Sequence, residues 1–180
     1  MNRGSRAARR YARALLELGD GEPARLAAWG EELGRLAETF EAAELRAVVF
    51  SPELSQERRL GLLARVSELL GLSYPVRSLA AVAARHGRLA EMGAIADAYA
   101  ALLDQMLGRT RARLSFAQAP SDREVQEVVR ALERLTGKTV LATVALDPAL
   151  VGGVVAEVEG KIYDASLVGM LAEAERRLAG

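Results

Sequence analysis

Between residues 6 and 107, apolar positions return every three or four residues, the period of an amphipathic helix. Glycine, proline and serine divide that pattern into six predicted helices. The first carries Ala7, Tyr11, Ala14, Leu15 and Leu18 and ends at Gly19-Asp20-Gly21. The second opens on Pro23, a favoured first-turn residue, and aligns Leu26, Trp29, Leu33, Leu36, Ala37 and Phe40 on one face. A short third helix holds Leu45, Val48 and Val49 and closes before Ser51-Pro52, because the residue before proline resists the α region. Ser55 caps a fourth helix with Leu62, Leu63, Val66, Leu69 and Leu70, which stops at Gly71. Pro75 opens a fifth, with Val76, Leu79, Ala80, Val82 and Ala83, closed by Gly87. The sixth shows Met92, Ile95, Ala96, Tyr99, Leu102, Leu103 and Met106. Short connections between such helices predict an antiparallel-rich bundle.

Past Gly108 the period changes from helix to strand. Leu114 and Phe116 alternate with Arg113, Ser115 and Ala117. Ser121 and Glu124 form a capping-box pattern ahead of a helix with Val125, Val128, Val129, Leu132 and Leu135, ended by Gly137. Lys138 to Leu146 reads as a strand and Asp147-Pro148 as a turn. Gly152-Gly153, a hairpin at Glu159-Gly160 and a turn at Asp164-Ala165-Ser166 follow. Asp164 or Ser166 would cap a last amphipathic helix bearing Leu167, Met170, Leu171, Ala174 and Leu178. The expected architecture is mainly α: a six-helix bundle over residues 1–107, then a small α/β domain over residues 108–180.

Composition narrows the chemistry. About half of the 180 residues are hydrophobic but only 4% are aromatic, so Leu, Ala and Val must build the core. Twenty-four basic residues balance twenty-four acidic ones, a poor basis for nucleic-acid binding, which draws on clustered excess Lys and Arg. The absence of cysteine excludes disulfides, thiolate metal sites and thiol nucleophiles. A single histidine, His86, rules out a multi-histidine metal site. No apolar run approaches the roughly 18–20 residues of a transmembrane helix. Arg3, Arg6, Arg9 and Arg10 faintly resemble a transit peptide, but the helical pattern starts among them, which favours a mature cytosolic protein.

No motif carries catalysis. Gly152-Gly153 belongs to neither phosphate-loop pattern and lies between apolar runs, where glycine marks a bulge or a close backbone approach. His86 beside Gly87 fits a helix end, Asp147 before Pro148 a turn, and Asp164 a cap. An enzyme using Asp147, Asp164 or His86 would need a shared pocket and shifted pKa values. Small residues recur on the first and fifth helices (Ala7, Ala8, Ala12 and Ala14; Ala80, Ala81, Ala83 and Ala84). They suit either tight helix packing or a shallow groove for a foreign amphipathic helix. A generic helical adaptor or regulator is the alternative class.

Taken in order, several segments resemble one family nearly end to end. They are Arg10-Tyr11-Ala12-Arg13-Ala14-Leu15, Ser51-Pro52, Arg85-His86-Gly87-Arg88-Leu89, Leu146-Asp147-Pro148, Val151-Gly152-Gly153-Val154 and Ile162-Tyr163-Asp164-Ala165-Ser166. The chain resembles the delta subunit of bacterial F-type ATP synthases, related to the mitochondrial oligomycin-sensitivity-conferring protein. The resemblance implies a non-catalytic, cofactor-free stator component that joins the catalytic head to the peripheral stalk against rotor torque. It would be present in one copy, peripheral to the cytoplasmic face of the bacterial cell membrane. The implied partners are the N-terminal helix of an alpha subunit, received by the N-terminal domain, and the b subunits, met by the C-terminal domain. Carried onto this chain, the alpha-helix groove would involve Tyr11, Ala14, Leu15 and Leu18 with Ser78, Ala81, Val82 and Arg85. Gly152, Gly153, Asp164, Ser166, Leu167 and Met170 would be structural or stalk-facing. Two departures stand out. Ala165 occupies a position where the family has glycine, and alanine at positive φ is strained. Val168 and Met170 replace the arginines the family carries after the serine, so the contact there would be apolar.

Overall fold

The computed structural model describes residues 6–49, 51 and 53–166. Most of them are helical, with one small four-stranded sheet, and the chain divides into two compact units between Leu107 and Gly108.

The first unit contains α1 (Arg6–Glu17), α2 (Pro23–Glu41), α3 (Ala43–Val49), α4 (Gln56–Leu69), α5 (Tyr74–Arg85) and α6 (Met92–Met106), with a 3-10 turn at Leu89–Glu91. Local chemistry sets the ends. The Ser55 hydroxyl accepts from the Arg58 N–H at 3.3 Å and starts α4. Gly87, at φ 68°, lets the Arg88 N–H reach back to the Ala83 carbonyl at 2.8 Å and closes α5. Arg88 then pairs with Glu91 across the 3-10 turn. The core is aliphatic, as the composition requires: Leu15, Leu26, Leu33, Leu36, Val76 and Ile95 are fully buried around the one buried tyrosine, Tyr99. Two polar ties cross it. Tyr99 bonds the Leu26 carbonyl, and the Glu32 carboxylate accepts from both the N–H and the hydroxyl of Ser73, each at 2.7 Å, fixing the start of α5 against α2.

Several large apolar residues expected on helix faces of this unit are exposed: Val48 on α3, Leu69 on α4 and Met106 on α6, together with Leu18 and Val82. Val48, Leu69 and Met106 lie in the last turns of their helices. The break expected at Ser51-Pro52 involves Pro52, which is outside the described residues.

The second unit runs β1 (Arg109–Phe116), α7 (Asp122–Thr136), β2 (Thr139–Leu146), β3 (Gly153–Val158) and β4 (Lys161–Ser166). The sheet order is β2-β1-β3-β4. β1 and β2 are parallel, so α7 is their crossover; the other pairings are antiparallel. Thr110, Ala112, Leu114 and Phe116 alternate inward along β1 and pack with Leu132, Val140, Ala156 and Val158. The β3–β4 hairpin turns through Glu159 and Gly160, both at positive φ, a turn whose twist matches the flanking strands.

The end of this unit differs from expectation. Asp164-Ala165-Ser166 is not a turn. Asp164 pairs with Val155, Ala165 with Val154 and Ser166 with Gly153, all within β4. Ala165 is therefore extended and carries no positive-φ strain. Turn-forming composition yields here to pairing with the apolar β3 strand. The expected last helix, with Leu167 and Met170, falls outside the described residues.

Candidate functional site

α1 packs mainly on α6 and also touches α5. The alanines explain the closeness of this arrangement. Ala8, Ala12, Ala80, Ala83 and Ala84 are buried, so most of the small residues serve helix packing instead of lining an open surface. Along the line where α1 and α5 diverge, an open groove of about 520 Å³ remains. Leu15 and Leu79, both buried, form its floor. Tyr11, Ala14 and Leu18 line it from the α1 side, and Pro75, Ser78 and Val82 from α5. Leu18 is 63% exposed and Val82 42% exposed, so the groove presents apolar side chains to solvent. Among the described residues, its charged or titratable lining groups other than Tyr11 are Arg10 and His86, and no carboxylate lines it.

The structure brings six of the expected residues to this groove: Tyr11, Ala14, Leu15, Leu18, Ser78 and Val82. Ala81 and Arg85 are not among them. Ala81 turns toward α4 and lines a second hollow with Leu60, Leu63 and Tyr74. Arg85 is exposed, and its carbonyl accepts from Gln56 Nε2 at 3.1 Å. Pro75, Leu79 and His86 are the α5 residues that the sequence did not single out for the groove. With Ser78 and Val82 they follow the same i, i+3, i+4 rhythm, shifted around the helix by about one residue step. The continuation from Ser78 through Val82 to His86, four residues at a time, was the available signal.

In the second unit a hollow of about 430 Å³ opens beside Phe116, Pro120, Val128, Gly152, Gly153 and Val154. Gly152 and Gly153 adopt φ of 153° and 78°, within the region that disfavours side chains, and no phosphate-loop geometry accompanies them. Glu124 and Glu127 border this hollow. Glu124 is committed to the α7 cap: its carboxylate accepts from the Ser121 N–H at 2.8 Å and the Ser121 hydroxyl at 2.7 Å, which holds it below the usual carboxylate range.

No catalytic set forms from the polar candidates. Asp147 Oδ1 accepts from the Ala149 N–H at 3.0 Å, the side-chain turn its position before Pro148 implies. Asp164 lies in β4, and His86 belongs to the other unit. Among the described residues no cluster of His, Cys, Asp or Glu is placed to hold a metal, and no helix is long and apolar enough to cross a membrane.

Residues 7–178 match the family model described as ATP synthase delta (OSCP) subunit. A protein named ATP synthase subunit delta from Anaeromyxobacter sp. (strain Fw109-5) is 37% identical over 172 residues, covering 95% of this chain and 96% of the relative. Its namesake from Geobacter metallireducens is 36% identical over 161 residues, covering 89% of each. Among solved structures, a chain of the Toxoplasma gondii mitochondrial ATP synthase hexamer superposes with a TM-score of 0.66 at 18% identity, covering 96% of this chain and 97% of that one. At that identity the likeness is one of fold.

Proposed function

Because the chain belongs to the ATP synthase delta (OSCP) subunit family, we propose that it works as the stator link of an F-type ATP synthase, with its two units holding different partners. It is a non-catalytic subunit. The first unit, a bundle of helices, receives the N-terminal helix of an alpha subunit in the α1–α5 groove. The second unit meets the b subunits of the peripheral stalk. The complex holds one copy, at the cytoplasmic face of the cell membrane.

The observation that carries this reading is the groove itself. It is open, floored by Leu15 and Leu79 and walled by exposed Leu18 and Val82. A helix with apolar residues at i, i+3, i+4 and i+7 buries that surface from both walls. The second unit offers Gly152, Gly153 and Asp164 on its exposed or half-buried surface, and Ser166 ends β4; Leu167 and Met170 lie outside the described residues. This is the region proposed to face the stalk.

Titration calorimetry of the full chain with a synthetic peptide of the alpha subunit's N-terminal segment tests the groove. Saturable one-to-one binding that Val82→Asp abolishes is expected, because the substitution puts a charge into an apolar contact. Absence of binding, or binding indifferent to Val82→Asp, overturns the assignment. Co-purification with the alpha and b subunits from native membranes tests the wider role.

A further inference from the structure

Among the described residues, the arginines of α1 have no ion-pair partner. Arg6, Arg9, Arg10 and Arg13 are all exposed. Several arginines elsewhere do find carboxylate partners: Arg25 with Glu22 at 2.6 Å, Arg88 with Glu91 at 2.8 Å, Arg123 with Glu127 at 2.9 Å. The stability of α1 does not account for the arginines either. They occupy the first two turns, with no acidic residue in the first, where the helix macrodipole disfavours positive charge.

Their placement relative to the groove is specific. Arg6, Arg10, Ala14 and Leu18 form one row, each four residues from the next. Arg10, Ala14 and Leu18 line the groove. Arg6 begins the same row one turn earlier, and no acidic side chain offsets either charge along the groove. A docked helix thus meets apolar side chains across the groove and guanidinium groups along its α1 edge.

We propose that the occupant of the α1–α5 groove is an amphipathic helix bearing carboxylates along the edge that meets α1, and that Arg10, with Arg6 beside it, pairs with them to set its direction and register. The inference rests on the groove reading above and adds to it the charge pattern of the partner and the residues that read it. Exposed charges at an interface edge act chiefly on association rate and on choice of partner, through a salt-dependent attraction. A forked guanidinium suits this because it grips a carboxylate through two parallel bonds.

The test uses the full chain and a synthetic peptide of the alpha subunit's N-terminal segment, with association followed by stopped-flow fluorescence and affinity by calorimetry. Arg10→Glu is expected to weaken binding about tenfold, mostly through slower association, and added salt to weaken the wild-type complex. Replacing peptide carboxylates by lysine one at a time is expected to find a position that restores binding to Arg10→Glu while weakening it to wild type. Binding that Val82→Asp abolishes but Arg10→Glu and salt leave unchanged overturns the charge pairing and leaves the groove reading standing. Binding indifferent to both variants, or none, overturns both. If Arg10→Glu and Arg6→Glu instead remove binding to phosphatidylglycerol vesicles without altering peptide affinity, the arginines read a lipid surface and the proposal fails. Circular dichroism of each variant controls for folding, which exposed sites on α1 are not expected to disturb.

Discussion

The Tyr99 hydroxyl in α6 donates a 2.9 Å hydrogen bond to the Leu26 carbonyl in α2, and the tyrosine is fully buried. Burial disfavours the phenolate and pushes the group up to about 12. In the unfolded chain a tyrosine ionises near pH 10. Between those values the folded chain retains a proton that the unfolded chain has lost. The contribution of Tyr99 to stability is therefore complete below about pH 10 and is lost as pH rises toward about 12, with a slope of at most about 1.4 kcal/mol per pH unit. Tyr99→Phe removes this dependence. At neutral pH it costs about 1 kcal/mol, because the Leu26 carbonyl loses its partner. Urea denaturation of both proteins at about pH 8 and about pH 11 is expected to show the gap narrowing at the higher value. An unchanged gap means that the phenol ionises equally in both states.

Two glycines near the same core have opposite expected responses. A Cβ on Gly19 would lie 2.3 Å from Leu26 Cδ2 and 3.2 Å from the Trp29 ring, both on a buried helix face. Gly19→Ala is expected to lower stability by about 1–3 kcal/mol through overpacking. Gly34, inside α2, meets nothing within 4 Å. Gly34→Ala is expected to raise stability by about 0.5–1 kcal/mol through helix propensity alone. Thermal melts of the two variants should move in opposite directions.

What was legible in the sequence is what depends on near neighbours. Ser55, Ser121, Asp147 and the Glu159-Gly160 hairpin each find their partners within a few residues, so their roles follow from spacing. Gly19 follows the end of α1, as spacing predicts, but its crowding by Leu26 of the following helix is a tertiary fact that spacing does not carry. The face of α5 was legible only to within one residue step. Periodicity supplies a stripe, but α4 covers the Ala81 side, a fact that resides in tertiary packing. Asp164 and Ser166 have the chemistry of a cap and the structure of a strand, because β3 supplies the pairing that a local reading cannot see.

The α5 face that lines the groove makes a sharper test of it. Val82 lies in it and Arg85 does not, although both were candidates from spacing. Val82→Asp is expected to reduce affinity for the alpha-subunit peptide more than tenfold, through a desolvated charge. Arg85→Ala should change affinity less than twofold, as removal of one exposed charge does. Both positions are exposed enough that the fold should persist, which melting curves can verify. Equal losses in the two variants would place the binding face on the Arg85 side of α5 instead.

The α7 cap predicts an acid-sensitive contribution in the second unit. The Ser121 hydroxyl accepts from the Glu124 N–H at 3.3 Å, while the Glu124 carboxylate accepts from the N–H and hydroxyl of Ser121. Ser121→Ala removes the hydroxyl from this exchange and is expected to cost about 1 kcal/mol. The carboxylate is held below its ordinary range by those same donors. A depressed carboxylate stabilises the fold above its unfolded pKa, and that contribution is lost as pH falls through the lower folded value. Part of the wild-type advantage over Ser121→Ala should therefore disappear in acid, since a protonated Glu124 accepts more weakly from Ser121. Hydrogen exchange at the α7 N-terminus, compared between wild type and variant at neutral and acid pH, reads this locally. A protection difference that stays constant into acid would assign the cap's whole contribution to the Ser121 side chain and none to the charge on Glu124.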